Sequence, residues 1–223
     1  MFKLAKSVYR EAIRAIFTGI YVSIGCVAFI SAGLNAYGAF LASMIILVIT
    51  VFDLPLFTER ITIVVYGEPD RILVNLGRVT LMAFGNFAGC YFSSLAIRGT
   101  RYAELIARGC KALCEERVVD TPSGLFLLGF CCNLLIFTTT RIYREQGPVV
   151  GCLTTVTATM IYITCNFEHS IVNSFLMIMS GYGFQPRAAV LIPIALGNAV
   201  GAVGPALLPD PPKQKSPGDD IYG

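Results

Sequence analysis

Apolar runs longer than a soluble protein needs make up most of this 223-residue chain. Residues 15–34 and 72–97 are nearly continuous examples, and about 18 or more apolar residues in a row indicate a helix that crosses a membrane. Strands of membrane barrels need only about 10 residues, so these spans are helices. Charged residues are 14% of the chain, against about 25% in soluble domains, and the mean hydropathy is +0.69. The sequence therefore predicts an all-α integral membrane protein.

The apolar runs predict one membrane domain of six helices, residues 15–208. A basic, amphipathic segment precedes it at residues 1–14 and is expected to lie on the cytoplasmic surface, because the following run is too long for the apolar part of a signal peptide. The tail at residues 209–223 is rich in Pro, Lys and Asp and is expected to be disordered. The predicted spans are 15–34, 37–66, 72–97, 122–140, 149–179 and 188–208.

Polar residues interrupt the second and the fifth of these spans. Asp53–Arg60 combines charges with Pro55, and Asn166–Ser170 contains Glu168 beside His169, the single histidine of the chain. A charged side chain inside a span costs roughly 3 kcal/mol or more. Irregular backbone at membrane depth is tolerated only where it borders protein or water. Both spans are therefore predicted to be broken helices that line an internal passage.

Two features recur at one offset and indicate an internal repeat. A Gly-Asn-x-x-Gly motif begins at Gly85 and again at Gly197, an offset of 112 positions, and the same 112 positions separate Phe57 from His169. Because each half holds an odd number of spans, the second copy must enter the bilayer upside down. This is the inverted 3+3 repeat of transport proteins, in which paired broken helices meet at the midplane. The predicted copies are about 15–97 and 122–208.

The distribution of Lys and Arg determines the predicted orientation. If both termini are cytoplasmic, most of the 17 Lys and Arg residues lie on the inner side, as the positive-inside rule requires. We therefore predict a multi-pass protein of the plasma membrane with both termini inside the cell. The basic residues left on the outer side are Arg98, Arg101, Arg108, Lys111, Arg117 and Arg187.

The sequence gives little support to metal, cofactor or nucleic-acid chemistry. The net charge of +3 is explained by the Lys and Arg of the inner side, so it does not indicate nucleic-acid binding. Most of the eight cysteines lie in predicted spans, where cysteine acts as a small apolar residue. Cys110 and Cys114 lie in a connector without further candidate ligands. We therefore expect neither a metal nor a cofactor.

Four motifs resemble, in order and on the expected spans, those of the formate/nitrite transporter family. Phe167–Asn173 resembles the central motif of the family's broken fifth helix, and Leu56–Thr58 resembles the Leu-Phe-Thr that interrupts its second helix. Gly129 with Cys132–Leu134 resembles its fourth-helix pattern, and both Gly-Asn motifs are present. The resemblance covers roughly residues 18–208. It implies an aquaporin-like fold, assembled as a homopentamer in the lipid membrane with one pore per subunit.

The resemblance also implies functions for individual residues. His169 and Thr58 would form a central pair at the midpoint of the pore, and Arg117 stands where the family has a lysine that attracts anions. The polar residues of the substrate pathway would be His169, Thr58, Asn133, Asn198 and Arg117, and the apolar constrictions would be Ile46, Phe57, Ile136 and Tyr162. The chain departs from the family pattern at Pro55, Glu59, Arg60 and Asn166.

Glu168 and Asn173 are expected to have a structural function. On a regular helix Glu168 would point about 100° away from His169, so it is not expected to share the histidine's place in the path. Glu168 would anchor the broken backbone or pair with a neighbouring subunit, with Asn173 nearby in support.

The predicted function is proton-linked passage of small monovalent weak-acid anions such as formate, nitrite, lactate or hydrosulfide. Moving a bare anion through apolar rings is prohibitive. Basic groups and half-helix N-termini would concentrate the anion, and a proton would then neutralise it. His169 is the candidate because histidine changes its charge near neutral pH, with Thr58 as a hydrogen-bond partner. A relay from bulk water without ionisation of His169 fits the sequence equally well.

Two other functions remain as alternatives. One is an aquaporin-like pore for neutral solutes, which the lack of an Asn-Pro-Ala motif disfavours. The other is a membrane-embedded enzyme or assembly protein that uses Glu168 and His169. The lack of a metal-ligand cluster, a cofactor fingerprint or a catalytic-triad spacing disfavours that second alternative.

Overall fold

The computed structural model describes residues 2–208, with side chains for residues 8–68 and 70–208. This part of the chain is helical and contains no strand, so the predicted all-α fold is confirmed. The tail that was predicted to be disordered lies outside the described residues. The helices are α1 (Phe2–Ser31), α2 (Ala36–Val51), α3 (Phe57–Arg60), α4 (Ile63–Tyr66), α5 (Ile72–Arg98), α6 (Ala103–Val119), α7 (Pro122–Gln146), α8 (Pro148–Thr164), α9 (Ser170–Met179) and α10 (Phe184–Ala206).

Four of the described helices are long and apolar enough to cross a membrane on their own. They are α1 from Val8 onwards, α5, α7 and α10. The second predicted span appears instead as α2, α3 and α4, and the fifth as α8 and α9. The chain leaves the helical conformation at both polar interruptions, where Asp53 and Asn166 have positive φ angles of 51° and 56°.

Two helix ends differ from the predicted boundaries. Residues 2–14, predicted as a separate surface segment, continue into the first span as one helix, because no glycine or proline interrupts them. Arg14 near the middle of this helix donates to the carbonyl oxygens of Phe52 and Asp53, both at 2.9 Å. At the other end of the domain, α7 continues to Gln146, six residues past the predicted end at residue 140, and so carries Arg144 on its last turn.

Glycines allow close packing in two equivalent helix pairs. On α5, a Cβ atom at Gly89 would collide with the carbonyl oxygen of Ile16 on α1. On α10, a Cβ atom at Gly197 would collide with the carbonyl oxygen of Phe126 on α7. Small residues that let backbones approach closely are the usual basis of helix association in lipid. The Gly-Asn motifs therefore hold α5 against α1 and α10 against α7.

Candidate functional site

The buried side chain of Asn86 on α5 satisfies the backbone of the first interruption. Its Oδ1 atom accepts a hydrogen bond from the amide of Phe57 at 3.0 Å. Its Nδ2 atom donates to the carbonyl oxygens of Pro55 at 3.0 Å and Ala15 at 2.8 Å. Unpaired backbone groups away from water are costly, so Asn86 allows α3 to begin inside the protein.

The buried side chain of Asn198 on α10 has the corresponding position at the second interruption. Its Oδ1 atom accepts from the amide of Ser170 at 2.9 Å and from the hydroxyl of the same residue at 2.8 Å. Its Nδ2 atom donates to the carbonyl oxygens of Glu168 at 2.8 Å and Gly129 at 2.7 Å. The side-chain amide of Asn198 thus satisfies the first N–H group of α9, as that of Asn86 does for α3.

Thr58 and His169 meet between these two anchored helix starts. The hydroxyl oxygen of Thr58 on α3 lies 3.1 Å from Nε2 of His169, which is the N-cap residue of α9. Thr58 is 0% and His169 is 2% exposed. The two residues that the family resemblance paired therefore form one buried hydrogen bond between the two interruptions.

The other ring nitrogen of His169 is occupied by the helix that it caps. Nδ1 accepts from the amide of Val172 at 3.4 Å, a long bond. In the neutral imidazole this leaves the proton on Nε2, which donates to the hydroxyl oxygen of Thr58. The hydroxyl hydrogen of Thr58 is then free to point elsewhere. A positive charge at this ring would also face the unfavourable N-terminal end of the α9 dipole.

Asn133 on α7 connects the two interruptions to each other. Its Nδ2 atom donates to the carbonyl oxygen of Thr58 at 2.7 Å and to that of Asn198 at 2.6 Å. Asn133 is fully buried, and its Oδ1 atom has no hydrogen-bond partner among the described residues. Asn133 thus links α3 and α10 through two hydrogen bonds from its side chain.

A buried ion pair joins Glu168 to Arg117 of α6. The Nε atom of Arg117 lies 2.8 Å from Oε2 of Glu168, and the side chains are 8% and 3% exposed. Asn173 donates to the same carboxylate oxygen at 2.7 Å, and Arg117 also donates to the side chain of Asn166 at 3.2 Å and to the carbonyl oxygen of Leu113. Glu168 is thus anchored by two side chains of its own chain, rather than by a backbone N–H group.

A cavity of about 60 Å³, here called the Arg117 cavity, leads to the central pair from one side. Its wall is mainly apolar, with Arg117, Glu168 and His169 among the polar members. Tyr162 also borders it, with its ring 6.3 Å from the imidazole and inclined by 25°. The cavity can hold a small solute beside the histidine. Its apolar lining includes Val22, Phe29, Ile46, Leu113, Phe167 and Leu176.

Two further cavities lie toward the other end of α7. A chamber of about 20 Å³, here called the threonine chamber, is bordered by Thr155 and Thr159 of α8 and by Ile136. This volume is enough for about one water-sized group. Ile46 borders both this chamber and the Arg117 cavity. A larger cavity of about 240 Å³, the Arg144 cavity, is bordered by Arg144, Arg141, Glu145, Thr62, Tyr66 and Glu59.

The structure distributes the four predicted constriction residues between two apolar clusters. Phe57 is buried in the large cluster, and Ile46 packs against it. Ile136 and Tyr162 form a small separate cluster with Cys132. Tyr162 also borders the Arg117 cavity, whereas Ile136 borders the threonine chamber.

Sequence reasoning did not assign site functions to three groups that the structure brings to the interruptions or the cavities. Asn86 could have been assigned from the repeat, since it corresponds to Asn198. Thr155 and Thr159 are four residues apart and share one helix face, which was a usable signal. Glu59 was noted only as a departure from the family pattern.

Comparison with known proteins agrees with this architecture. Residues 1–209 match the family model described as formate/nitrite transporter. A solved structure described as "Pentameric formate channel with formate bound" is similar, with a TM-score of 0.74 and 21% identity over 88% of this chain and 93% of that one. Another, described as "FNT family ion channel", has a TM-score of 0.74 and 18% identity over 90% of this chain and 93% of that one. Curated proteins give no match.

Proposed function

Because this chain belongs to the formate/nitrite transporter family, a family of membrane transport proteins rather than enzymes, we propose that it conducts small monovalent weak-acid anions. Formate and nitrite are the first candidates, with lactate and hydrosulfide as further members of the same chemical class. We also propose that passage is linked to a proton and that His169 and Thr58 are the central polar pair of the path.

The proposed path runs through the three cavities in order. An anion enters the Arg117 cavity, passes the Thr58–His169 pair, crosses the threonine chamber and leaves through the Arg144 cavity. The matching anchors at Asn86 and Asn198 support an inverted 3+3 repeat with broken second and fifth helices. Arg117 precedes α7, whereas Arg144 lies near its end, so the path has its two mouths at opposite ends of a membrane-crossing helix.

The chemical problem along this path is the charge of the substrate. The walls between the cavities are apolar, with Ile46 and Ile136 as members, and an unpaired ion in such surroundings is very costly. Arg117 attracts anions to the first cavity, although Glu168 keeps the local charge balanced. The free hydroxyl hydrogen of Thr58 can then bind the anion, and a proton converts it to a neutral acid that crosses the apolar walls.

The single observation that carries the proposal is the buried hydrogen bond between Thr58 and His169. In a helical membrane protein, ionisable groups at this depth are rare and usually belong to substrate or proton paths. This pair faces the first cavity through His169, and it is held in place from both halves by Asn86, Asn133 and Asn198. The arrangement supplies hydrogen bonding at a buried point between the two halves of the chain.

Uptake into proteoliposomes tests this function. Formate and nitrite flux into vesicles with wild-type protein should rise as the external pH falls, because more of the substrate is then carried with its proton. His169→Phe should abolish the flux, and Thr58→Val should lower it by at least about tenfold, a usual effect of losing a group in proton transfer. Thr154→Val is the matched control, because the Thr154 hydroxyl donates only within α8, to the carbonyl oxygen of Val150 at 3.0 Å and of Gly151 at 3.1 Å.

Two results would contradict the proposal. Flux of unchanged size and pH dependence in His169→Phe would remove the histidine from the mechanism. Wild-type vesicles that swell in neutral solutes but take up no anion would favour the aquaporin-like alternative instead.

We further propose the cellular setting of this transport. The predominance of Lys and Arg on one side supports a plasma-membrane protein with both termini in the cytoplasm, which places the Arg144 cavity on the inner side. The likeness to a channel described as pentameric supports a homopentamer surrounded by lipid. Cross-linking of the reconstituted protein that stops at five subunits would support this assembly, and a ladder that stops earlier would refute it.

A further inference from the structure

Glu59 is a buried carboxylate on the proposed path that the function described above does not use. It follows Thr58 directly on α3 and borders both the threonine chamber and the Arg144 cavity. Its side chain is only 10% exposed. This carboxylate lies on the far side of Ile46 and Ile136 from His169. At this position the apolar lining ends and the polar Arg144 cavity begins.

The groups facing Glu59 balance its charge when it is ionised. Oε1 of Glu59 lies 3.2 Å from a guanidinium nitrogen of Arg144 on α7, which is itself 56% exposed. Arg60 on the same segment pairs with Asp53, and on α7 Arg141 pairs with Glu145 at 2.7 Å. The remaining polar neighbours in the two cavities are uncharged, namely Thr50, Thr62, Tyr66, Thr139, Thr140, Thr155 and Thr159.

This balance has a consequence for the binding of a proton. Among the described residues that border the Arg144 cavity, two arginines face two carboxylates, namely Arg141 and Arg144 with Glu59 and Glu145. Protonation of Glu59 therefore leaves one positive charge in excess next to the exposed Arg144. An anion is attracted to the mouth most strongly when Glu59 carries a proton. The proton and the anion are thus expected to bind this end of the path together.

The threonine chamber provides a place for the neutral acid next to Glu59. The hydroxyl oxygen of Thr155 is buried and lacks a hydrogen-bond partner among the described residues, and Thr155 is 2% exposed. A buried hydroxyl without a partner is unusual, so this one can bind a polar group that enters the chamber. With room for about one small group, the chamber fits a water molecule or one end of a small acid.

We propose that Glu59 is the inner proton-exchange group of the path, which deepens the proposed function and rests on it. A neutral weak acid reaches the threonine chamber from the Thr58–His169 pair. Its O–H bond breaks as a new O–H bond forms on a carboxylate oxygen of Glu59, and the released anion moves toward Arg144. Water in the Arg144 cavity then takes the proton from Glu59, which restores the carboxylate. For outward-directed anions the same steps run in reverse.

The test of this inference uses sealed membrane vesicles that contain the full-length protein in the membrane. Two separate preparations are needed, one for each orientation. Glu59→Gln keeps the shape and a hydrogen-bonding oxygen but cannot exchange a proton. We expect formate flux to fall by at least about tenfold and to lose its dependence on the pH of the Arg144 side, while Glu59→Asp retains both. Imidazole buffer should restore flux in Glu59→Gln when it is added on the Arg144 side and not on the other. Glu104→Gln is the matched control, because that carboxylate is 82% exposed on α6.

The outcomes separate this inference from the function on which it rests. Wild-type flux and pH dependence in Glu59→Gln, together with loss of flux in His169→Phe, would overturn the inference alone. Equal effects of Glu59→Gln and Arg144→Gln without buffer rescue would also overturn it, because Glu59 would then serve only as half of an ion pair. No formate or nitrite flux in the wild type would refute the proposed function and this inference together.

A second variant keeps the test decisive if Glu59→Gln does not fold. Arg144→Gln removes the positive charge beside Glu59 but leaves its carboxylate. Because a carboxylate without its cation holds a proton more readily, the pH midpoint of flux on the Arg144 side should move to higher pH. An unchanged midpoint would overturn the inference.

Discussion

Replacing Arg117 by methionine should destabilise the fold by about 3–5 kcal/mol, because it removes one partner of a buried ion pair. The side chains of Arg117 and Glu168 are only 8% and 3% exposed, so water cannot replace the lost partner. After the substitution, the Glu168 carboxylate keeps its hydrogen bond from the side chain of Asn173. The methionine also leaves the carbonyl oxygen of Leu113 without its bond from Arg117.

Two further variants turn this prediction into a graded series. Arg117→Lys keeps the charge for Glu168 but, as a point charge on a flexible stem, cannot also reach Leu113 and Asn166. Losing these two hydrogen bonds at about 0.5–1.5 kcal/mol each gives an expected cost of about 1–3 kcal/mol. In the double variant Arg117→Met with Glu168→Gln no buried charge remains, so its cost should be smaller than the sum of the two single costs by about 0.5–3 kcal/mol.

The free energy of unfolding of each variant can be measured by SDS titration in mixed micelles, with the same protein and lipid concentrations throughout. We expect Arg117→Lys to lose less free energy of unfolding than Arg117→Met. The double variant should lose less than the sum of the losses in Arg117→Met and Glu168→Gln. Equal costs for the lysine and methionine variants would show that the charge contributes nothing. A strictly additive double variant would show that the two side chains do not interact in solution.

The remaining predictions concern the supports of the path. Asn86→Leu and Asn198→Leu should each prevent accumulation of folded protein in gel filtration, because three or more buried polar groups at about 1–3 kcal/mol each lose their partner; a stable, monodisperse variant would contradict the proposed anchors. Gly89→Ala should reduce thermal stability because its Cβ collides with the Ile16 carbonyl, whereas the control Gly77→Ala, with no atom within 4 Å, should leave it equal or raise it by about 0.5–1 kcal/mol. Equal melting temperatures for the two alanine variants would argue against tight packing of α5 on α1.

The helical architecture was predictable because it follows from length and hydropathy alone. Long apolar runs have few ways to satisfy their backbone in lipid, and the structure and the family match agree with that prediction. The repeat offset pairs Phe57 with His169, whereas the family resemblance pairs Thr58 with His169, and the structure joins the latter two at 3.1 Å. The hydrogen bonds show a local shift, however, since Asn86 binds the amide of Phe57 and Asn198 that of Ser170. These amides are one residue further apart than the 112 positions of the motif.

The partner of Glu168 was not predictable from helical geometry. The estimate of its direction assumed a regular helix, but His169 beside it has φ −112° and ψ 119°, which is extended backbone. In this conformation the carboxylate turns toward α6 and meets Arg117. Pairings between distant segments depend on such local geometry, which short sequence patterns do not determine.

The three cavities were also beyond sequence reasoning, for a different reason. A cavity is the space left by side chains from several helices, so it depends on how α2, α7 and α8 pack together. The sequence indicated polar residues within apolar helices, such as Thr155, but not that its hydroxyl would remain without a partner. The same limit applies to Glu59, whose burial depends on α4 and on the end of α7.

The two hydrogen bonds that Asn133 donates restrict the kinds of motion that can accompany transport. Its one amide nitrogen holds the carbonyl oxygens of Thr58 and Asn198 at 2.7 and 2.6 Å. A rocking rotation of one half against the other, as in alternating-access carriers, would have to break the bond to Thr58 inside the protein, because Asn133 and Asn198 both belong to the second half. Rotamer changes of Ile46 and Tyr162, two of the proposed constriction residues, would leave both bonds intact. The hydrogen bonds of Asn133 therefore favour transport in which the helices keep their positions and only side chains move.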